Sequence, residues 1–271
     1  MQKNTGKASN LALNQFYEKI KPYKEKILEQ HKIEGLIRQV LLKGGPEAAL
    51  NRLALTDELI YLASNYLIIN GISQSILGLR NEEALNNARK SFVKALVCME
   101  ELVSPLIDAP FSEYEEKLTE INSVDAKKRF NLIKRIGLLL NLLKEAYGDN
   151  AKWKWAFVEL DGRHAAITKN ILNLKTAVSN TDPRSPDYEP TVHHLRFMKK
   201  LLNQAADRYR ERYELSTNHS EDFNTGIEFL NALKRIHNVL GERTDAEATR
   251  KKSDTWAGKL EADNKLKQKS K

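Results

Sequence analysis

Hydrophobic positions recur at helical spacing along almost the whole chain. Residues 152–158 alternate like a half-buried strand, but a strand there leaves the apolar positions after residue 158 unexplained. No repeat of fixed period is present. The pattern therefore predicts an all-α fold, either an elongated multi-helix bundle or an irregular α-solenoid of antiparallel helix pairs, with a flexible basic C-terminal tail. Residues 11–43 are predicted to form one helix kinked at Pro22 or two helices, the second opened by Pro22. Further helices are predicted over residues 57–69, 72–79, 82–103, 124–147, 151–178, 192–215 and 223–240, with a short one ending near residue 121.

A heptad register of apolar positions runs from residue 153 to residue 178 and predicts one continuous helix over 151–178. The register passes through Gly162, and Gly162 with Ala165 and Ala166 forms a patch of small residues where a second helix can approach closely. Trp155 lies off the register, so it is a candidate anchor for a protein partner. The register consists of Trp153, Phe157, Leu160, His164, Ile167, Ile171, Leu174 and Val178.

The stretch "IGLLLNLL" at 136–143 spreads leucines around nearly the whole circumference of a helix. Such a helix is either central in a bundle or partly covered by another chain, and the central position is favoured. If a partner covers it, the candidate interaction residues are Leu138, Leu139 and Leu142.

Five segments are expected from the breaks in the pattern. Residues 1–10 form a flexible N-terminus, 11–178 a helical domain, 179–190 a proline-rich linker, 191–241 a helical hairpin packed on the main array, and 242–271 a disordered or loosely helical basic tail. Gly71 is expected to divide the apolar stretch around it into two short helices, and Thr191 to cap the helix after the linker. The tail is expected to be dispensable for folding.

The net charge is +8 and its excess lies at the two ends of the sequence. Residues 1–45 carry nine Lys and Arg against four Glu, and residues 242–271 carry nine against six acidic residues. Within the helical region, the best nucleic-acid candidates are Lys127, Lys128, Lys134 and Arg135, because they can share one side of a helix. A solvated helix face is the favoured interpretation of this cluster, since acidic residues are equally frequent around it.

The sequence contains no recognisable catalytic or metal-binding motif. We therefore predict no catalytic residue, no cofactor or cofactor-binding residue and no metal ligand. No histidine pair has the spacing of a chelating site, and the single cysteine, Cys98, fits a packed thiol. His164 is expected to be a core-edge residue bonded to a neighbouring helix, and His193 and His194 to be surface residues in a first helical turn.

Residues 59–79 are uncharged but contain Asn, Gln, Ser and Gly, so a buried helical hairpin is expected rather than a membrane span. The first residues have no apolar leader segment, and a cytoplasmic location is therefore expected.

These features favour a non-catalytic scaffold or adaptor that presents helix-pair surfaces to a protein partner or to a second copy of itself. A nucleic-acid-associated protein that uses the basic ends and the 126–135 cluster is the alternative. An all-α enzyme with an unrecognised site is the second alternative.

Overall fold

The fold is all-α, as the hydrophobic pattern predicts. The computed structural model describes residues 9–45, 47–148 and 151–269, and this part of the chain contains ten α-helices and no strand. A 3₁₀ turn covers Phe111–Glu113 and a π turn covers Tyr213–Thr217. The helices are α1 Asn10–Lys43, α2 Ala48–Leu77, α3 Glu82–Leu102, α4 Glu115–Glu120, α5 Ala126–Tyr147, α6 Ala151–Asn170, α7 Leu174–Ser179, α8 Tyr188–Arg212, α9 Ser220–Val239 and α10 Arg243–Lys269.

The chain divides into two compact units. The first comprises Met1–Cys98 and Arg135–Asn150, and the second comprises Met99–Lys134 and Ala151–Lys271. The predicted boundary at 179–190 differs from this division, because that segment lies inside the second unit. Of the expected flexible segment 1–10, residues 1–8 lie outside the described part of the chain, and Ser9 accepts a hydrogen bond from the Ala12 backbone N at 3.2 Å as the cap of α1.

The first unit is built on the hairpin of α1 and α2, which pack along each other. Residues at three- and four-residue spacing supply its interior, because such positions share one face of a helix. Buried side chains from α3 and from the second half of α5 complete the core. The core includes Phe16, Ile20, Ile27, Leu55, Leu59, Leu62, Leu85, Phe92, Leu139 and Leu143.

The helix α2 continues through Gly71, so the predicted break there is wrong. A glycine in a helix interior costs only about 1 kcal/mol relative to alanine, and the burial of Ile69, Asn70 and Ser73 on either side outweighs that cost. None of the described helices combines the length and the apolar composition that a membrane-spanning segment needs.

The second unit packs α8 against α6 and α9, and α9 against α10. Small residues let these helices approach closely, as the patch around Gly162 predicts. The buried cluster at the centre includes Val158, Ala165, Ala166, Met198, Leu202, Ala205, Ala206, Phe223, Phe229, Leu230, Leu233 and Trp256.

The predicted single helix over 151–178 is interrupted after Asn170. The Asn170 side-chain amide donates to the backbone O atoms of Ser104 at 2.8 Å and Leu106 at 3.0 Å. Asn173 then caps α7 by accepting from the Lys175 backbone N at 3.0 Å. The heptad register did not reveal this break, because the spacing of apolar residues carries no information about the side-chain amides of Asn170 and Asn173.

The helix α8 begins at Tyr188, with Asp187 as its N-cap, rather than at the predicted cap Thr191. Thr191 is instead buried inside the first turn. Pro190 is compatible with this earlier start, because the first-turn N–H groups of a helix have no intrahelical partners.

The expected disordered or loosely helical tail differs from the structure, in which Arg243–Lys269 forms a single helix packed on α9. Its buried residues recur at three- and four-residue spacing, but only two of them, Trp256 and Leu260, are large and apolar. The remaining buried positions are Ala246, Thr249 and Ser253. The buried face of α10 therefore consists mainly of small and polar residues. A pattern of large apolar residues in the sequence does not detect such a face.

Candidate functional site

An apolar groove of about 460 Å³ lies in the first unit. Six of its lining residues come from one face of α1, two from α2 and four from the start of α3 or its N-cap. They are Phe16, Tyr17, Ile20, Lys24, Ile27, Leu28, Tyr66, Ile69, Asn81, Glu83, Ala84 and Asn87.

The groove has a buried floor and an exposed apolar rim. Phe16, Ile20 and Ile27 are buried, whereas Tyr17 is 57% exposed and Leu28 is 63% exposed. The Tyr17 ring lies 5.5 Å from the Phe16 ring, and the Lys24 Nζ lies 5.9 Å from the centre of the Tyr17 ring. An open apolar cleft with aromatic and aliphatic groups at its edge is typical of surfaces that bind another protein.

Polar contacts fix the three helices that form the groove. Asn65 Nδ2 donates to Gln30 Oε1 at 3.0 Å in the interior of the hairpin. The Glu34 carboxylate of α1 accepts from Lys94 Nζ of α3 at 3.0 Å and from Arg38 Nε at 3.0 Å. The two contacts between helices, Asn65 with Gln30 and Lys94 with Glu34, fix how the helices are rotated about their axes, because a helix that turned would lose a buried polar contact.

The Glu34 carboxylate is buried and nevertheless charged. Burial raises its pKa, but the hydrogen bonds and charges of Lys94 and Arg38 outweigh burial, so the pKa lies below its ordinary value. Tyr66, at the edge of the groove, has a raised pKa because of burial and of the nearby carboxylates Glu83 and Glu34. Tyr66 therefore faces the groove as a neutral phenol, and its Oη lies 3.2 Å from His31 Nε2.

This groove was not predicted from the sequence. The signal was present in α1, where Tyr17 and Leu28 stand next to the buried positions Phe16 and Ile27 and widen the apolar face beyond what the hairpin covers. The contribution of the α3 start could not be seen, because it depends on tertiary packing.

The leucines predicted as interaction residues separate into two groups. Leu138 is 60% exposed and Leu142 is 43% exposed, one helical turn apart on α5. Leu139 is 2% exposed and belongs to the core, so its proposed interaction role is incompatible with the structure. One face of the helix over 136–143 is therefore buried and another is exposed, whereas the leucine pattern favoured a helix buried at the centre of a bundle.

The predicted anchor Trp155 is half-buried and packs against the hydrophobic cluster of the second unit. The Lys154 Nζ lies 4.7 Å from the centre of its ring. Most of the indole is therefore engaged within the chain, and only part of it is left for a partner. Trp153, on the heptad register, is also half-buried.

The four basic candidates do not share one environment. Lys127, Lys128 and Lys134 are exposed residues of the second unit. Lys134 Nζ lies 4.9 Å from the centre of the Phe130 ring. Arg135 belongs to the first unit, where its guanidinium forms an ion pair with Asp57. One of the four charges is thus already neutralised.

Two of the histidine predictions can be compared directly with the structure. His164 is buried and its Nε2 lies 3.1 Å from the Ile133 backbone O of α5, which confirms the expected bond to a neighbouring helix. His194 is buried rather than exposed, because α8 begins one turn earlier than predicted and places this residue inside the helix. Burial lowers the pKa of His194 to about 4, so the ring is neutral at pH 7.

A cluster with metal-ligand chemistry was not predicted, because its residues have no local motif spacing. His237, Glu242 and Asp245 place ligand atoms within 4.8 Å of one another where α9 ends and α10 begins. Lys199 Nζ of α8 already lies 2.6 Å from Glu242 Oε1, and His237 Nδ1 lies 2.6 Å from Glu242 Oε2. The ammonium group of Lys199 thus provides a positive charge beside the Glu242 carboxylate. These contacts connect α8 with the junction of α9 and α10.

Comparison with known proteins identifies the family. The model of the TP0443 family matches residues 12–264, so the chain belongs to the TP0443 family. No curated protein and no solved structure matches the chain.

Proposed function

We propose that this member of the TP0443 family is a non-catalytic helical adaptor that binds an amphipathic helix of a partner protein in the α1 groove. The observation that carries the proposal is the apolar rim formed by Tyr17 and Leu28 over a buried floor. An amphipathic helix fits such a groove by inserting apolar residues at i, i+3, i+4 and i+7.

The groove suits a helix better than it suits a small polar substrate. Its walls are mainly aromatic and aliphatic, and its charged groups, Lys24 and Glu83, have opposite signs. These two charges can orient a partner helix through one acidic and one basic side chain at the rim. The polar contacts of Gln30 and Glu34 keep the groove formed before binding, which lowers the cost of association.

The experiment is affinity capture from native cytoplasm with three forms of the chain. The wild type is compared with Tyr17→Ser/Leu28→Ser, which removes the apolar rim, and with Leu36→Ser/Leu42→Ser, which removes two exposed leucines of the same helix that do not line the groove. The two double variants should have similar thermal midpoints, slightly below that of the wild type, because all four side chains are exposed and serine is a weaker helix former than leucine.

We expect one partner protein to be captured by the wild type and by the control variant. The rim variant should not capture it. A synthetic peptide of the partner's amphipathic helix should then compete for binding. Loss of the partner from the control variant as well, or capture that is indifferent to all four substitutions, would show that the groove is not the binding surface.

The nucleic-acid alternative makes a different prediction for the same protein. Binding to mixed RNA or DNA should weaken steeply with salt and should depend on Lys127 and Lys128 rather than on Tyr17 and Leu28. Lys127→Glu/Lys128→Glu therefore distinguishes the two proposals. A cytoplasmic location is part of the adaptor proposal, and fractionation of cells that express the chain tests it.

A further inference from the structure

A second cavity, of about 380 Å³, lies entirely within the second unit and has a different character from the groove. It is formed where α6 gives way to α7 and where α8 begins, and six of its thirteen lining side chains carry an amide or a hydroxyl. The lining residues that carry its chemistry are Arg129, Asn173, Thr176, Asn180, Asp187 and His194.

The positive group in this cavity is incompletely satisfied. Arg129 Nη1 is buried and has no hydrogen-bond partner among the residues that the structure describes. A guanidinium does not lose its proton in a protein, so the group remains a cation. A buried cationic N–H without an acceptor is destabilising, so an anionic ligand atom is strongly favoured at this position.

The negative group in this cavity is also unengaged. The carboxylate of Asp187 makes no cap hydrogen bond to α8, and within the described ranges it accepts no other hydrogen bond. Burial lowers the pKa of Arg129, and the charges of Asp187 and, less strongly, of Asp125 oppose this effect, so Arg129 and Asp187 are close enough to interact. They do not form an ion pair, and both line the same space.

His194 adds a neutral acceptor to the lining. Its Nε2 lies 2.8 Å from the Thr168 backbone O, which assigns the ring hydrogen to Nε2 and leaves Nδ1 as an acceptor. The ring stacks on Phe130 at 5.3 Å, so its orientation is fixed. The cavity therefore combines one cation, one anion and several neutral hydrogen-bonding groups around a volume suited to a small molecule.

We propose that this cavity binds a small zwitterion of the amino-acid class, with its carboxylate on Arg129 and its ammonium group on Asp187. A dianion such as phosphate is disfavoured, because Asp187 faces the same space and repels it. The amides of Asn173 and Asn180 and the hydroxyl of Thr176 favour a ligand with a short polar side chain. This proposal does not depend on the α1 groove, which lies in the other unit.

The experiment is a thermal-shift screen of the full chain against the proteinogenic amino acids and inorganic phosphate, followed by calorimetric titration of the best ligand. The N-acetyl and amide derivatives of that ligand, which lack the ammonium or the carboxylate, are titrated in parallel. The free amino acid should bind, and each derivative should bind at least about tenfold more weakly, since each loses one charged contact.

Three variants locate the binding. Arg129→Gln and Asp187→Asn should each weaken binding by about tenfold or more. Asp187→Asn should also abolish the preference for the free amino acid over its N-acetyl derivative. Asp182→Asn is the matched control, because Asp182 stands in the same segment but pairs with the exposed Arg184, and it should bind like the wild type. Circular dichroism verifies that each variant is folded.

If Arg129→Gln fails to fold, Asp187→Asn still tests the proposal, because Asp187 is partly exposed and its substitution should not prevent folding. Absence of binding by every amino acid overturns the proposal. Equal binding of the free and N-acetylated ligand by the wild type also overturns it. Binding of phosphate that strengthens in Asp187→Asn would identify a simple anion site and contradict the zwitterion.

Discussion

Tyr209 of α8 lies directly over Gly162 of α6. A Cβ atom added at Gly162 would come within 2.8 Å of both Cε2 and Oη of Tyr209. The Tyr209 ring cannot easily move away, because it stacks on the Phe229 ring at 5.7 Å. The close approach of α6 and α8 therefore requires a residue without a side chain at position 162.

Gly162→Ala should destabilise the second unit by about 1–3 kcal/mol through overpacking, even though alanine is the better helix former. Denaturant unfolding measures the effect. Gly258→Ala is the matched control in α10 of the same unit, where nothing lies within 4 Å of the added Cβ, and it should be neutral or stabilising by up to about 1 kcal/mol. Equal effects of the two substitutions would contradict the packing described for α6 and α8.

The C-terminal helix should be required for the stability of the second unit. Trp256 of α10 is 4% exposed, and its ring stacks on Phe223 at 5.7 Å. Trp256→Ala should cost about 3–5 kcal/mol, as expected for a buried aromatic side chain. Trp256 is the single tryptophan of α10, and Leu266→Ala, at an exposed position of the same helix, is the control.

Truncation after Gly241 should lower the thermal midpoint by many degrees, and protease should cut the tail only slowly. This outcome is the reverse of what the sequence suggests, because the tail has few large apolar residues. An unchanged thermal midpoint of the truncated chain would show that residues 242–271 are dispensable for folding.

The sequence predicts the all-α class well because helical periodicity is a local property. Helix ends also depend on local chemistry, and Asn81, Gly148 and Gly241 lie at helix ends in the structure. Asn81 Oδ1 accepts from the Ala84 backbone N at 2.9 Å, and both glycines have positive φ.

Features that depend on tertiary contacts could not be predicted. The break after Asn170 depends on carbonyl groups of the 104–106 segment, and the groove depends on where α3 meets α1. The pairing of Arg135 with Asp57 joins residues far apart in the sequence, so the basic cluster looked more uniform in the sequence than it is in the fold.

The buried Lys169 should make the stability of the protein depend on pH above neutrality. Burial, with a contribution from Arg235, lowers the pKa of Lys169 to about 8, below its ordinary value. Between that value and the unfolded pKa of about 10.4, the unfolded state binds more protons than the folded state. The free energy of unfolding should therefore rise with pH over this window.

Chemical denaturation at pH 7.5 and pH 9.5 tests this expectation. The wild type should gain stability relative to Lys169→Met, in which the group that titrates is absent. Measurements stay below about pH 10, since burial also raises the pKa of Tyr114 and Tyr209 to about 12 and their ionisation in the unfolded state opposes folding at higher pH. A difference between the two proteins that does not change with pH would show that Lys169 is solvated.

Site-specific photo-cross-linking tests the proposed adaptor function most directly. A photoreactive phenylalanine analogue replaces Tyr17 at the groove rim, and in a second protein it replaces Leu42, which is 87% exposed on the same helix and does not line the groove. If the groove binds a partner helix, irradiation in cells gives a discrete adduct with one partner protein from position 17 and none from position 42, and the cross-linked peptide belongs to an amphipathic helix. No adduct from position 17, or the same adducts from both positions, would show that the groove does not bind a partner.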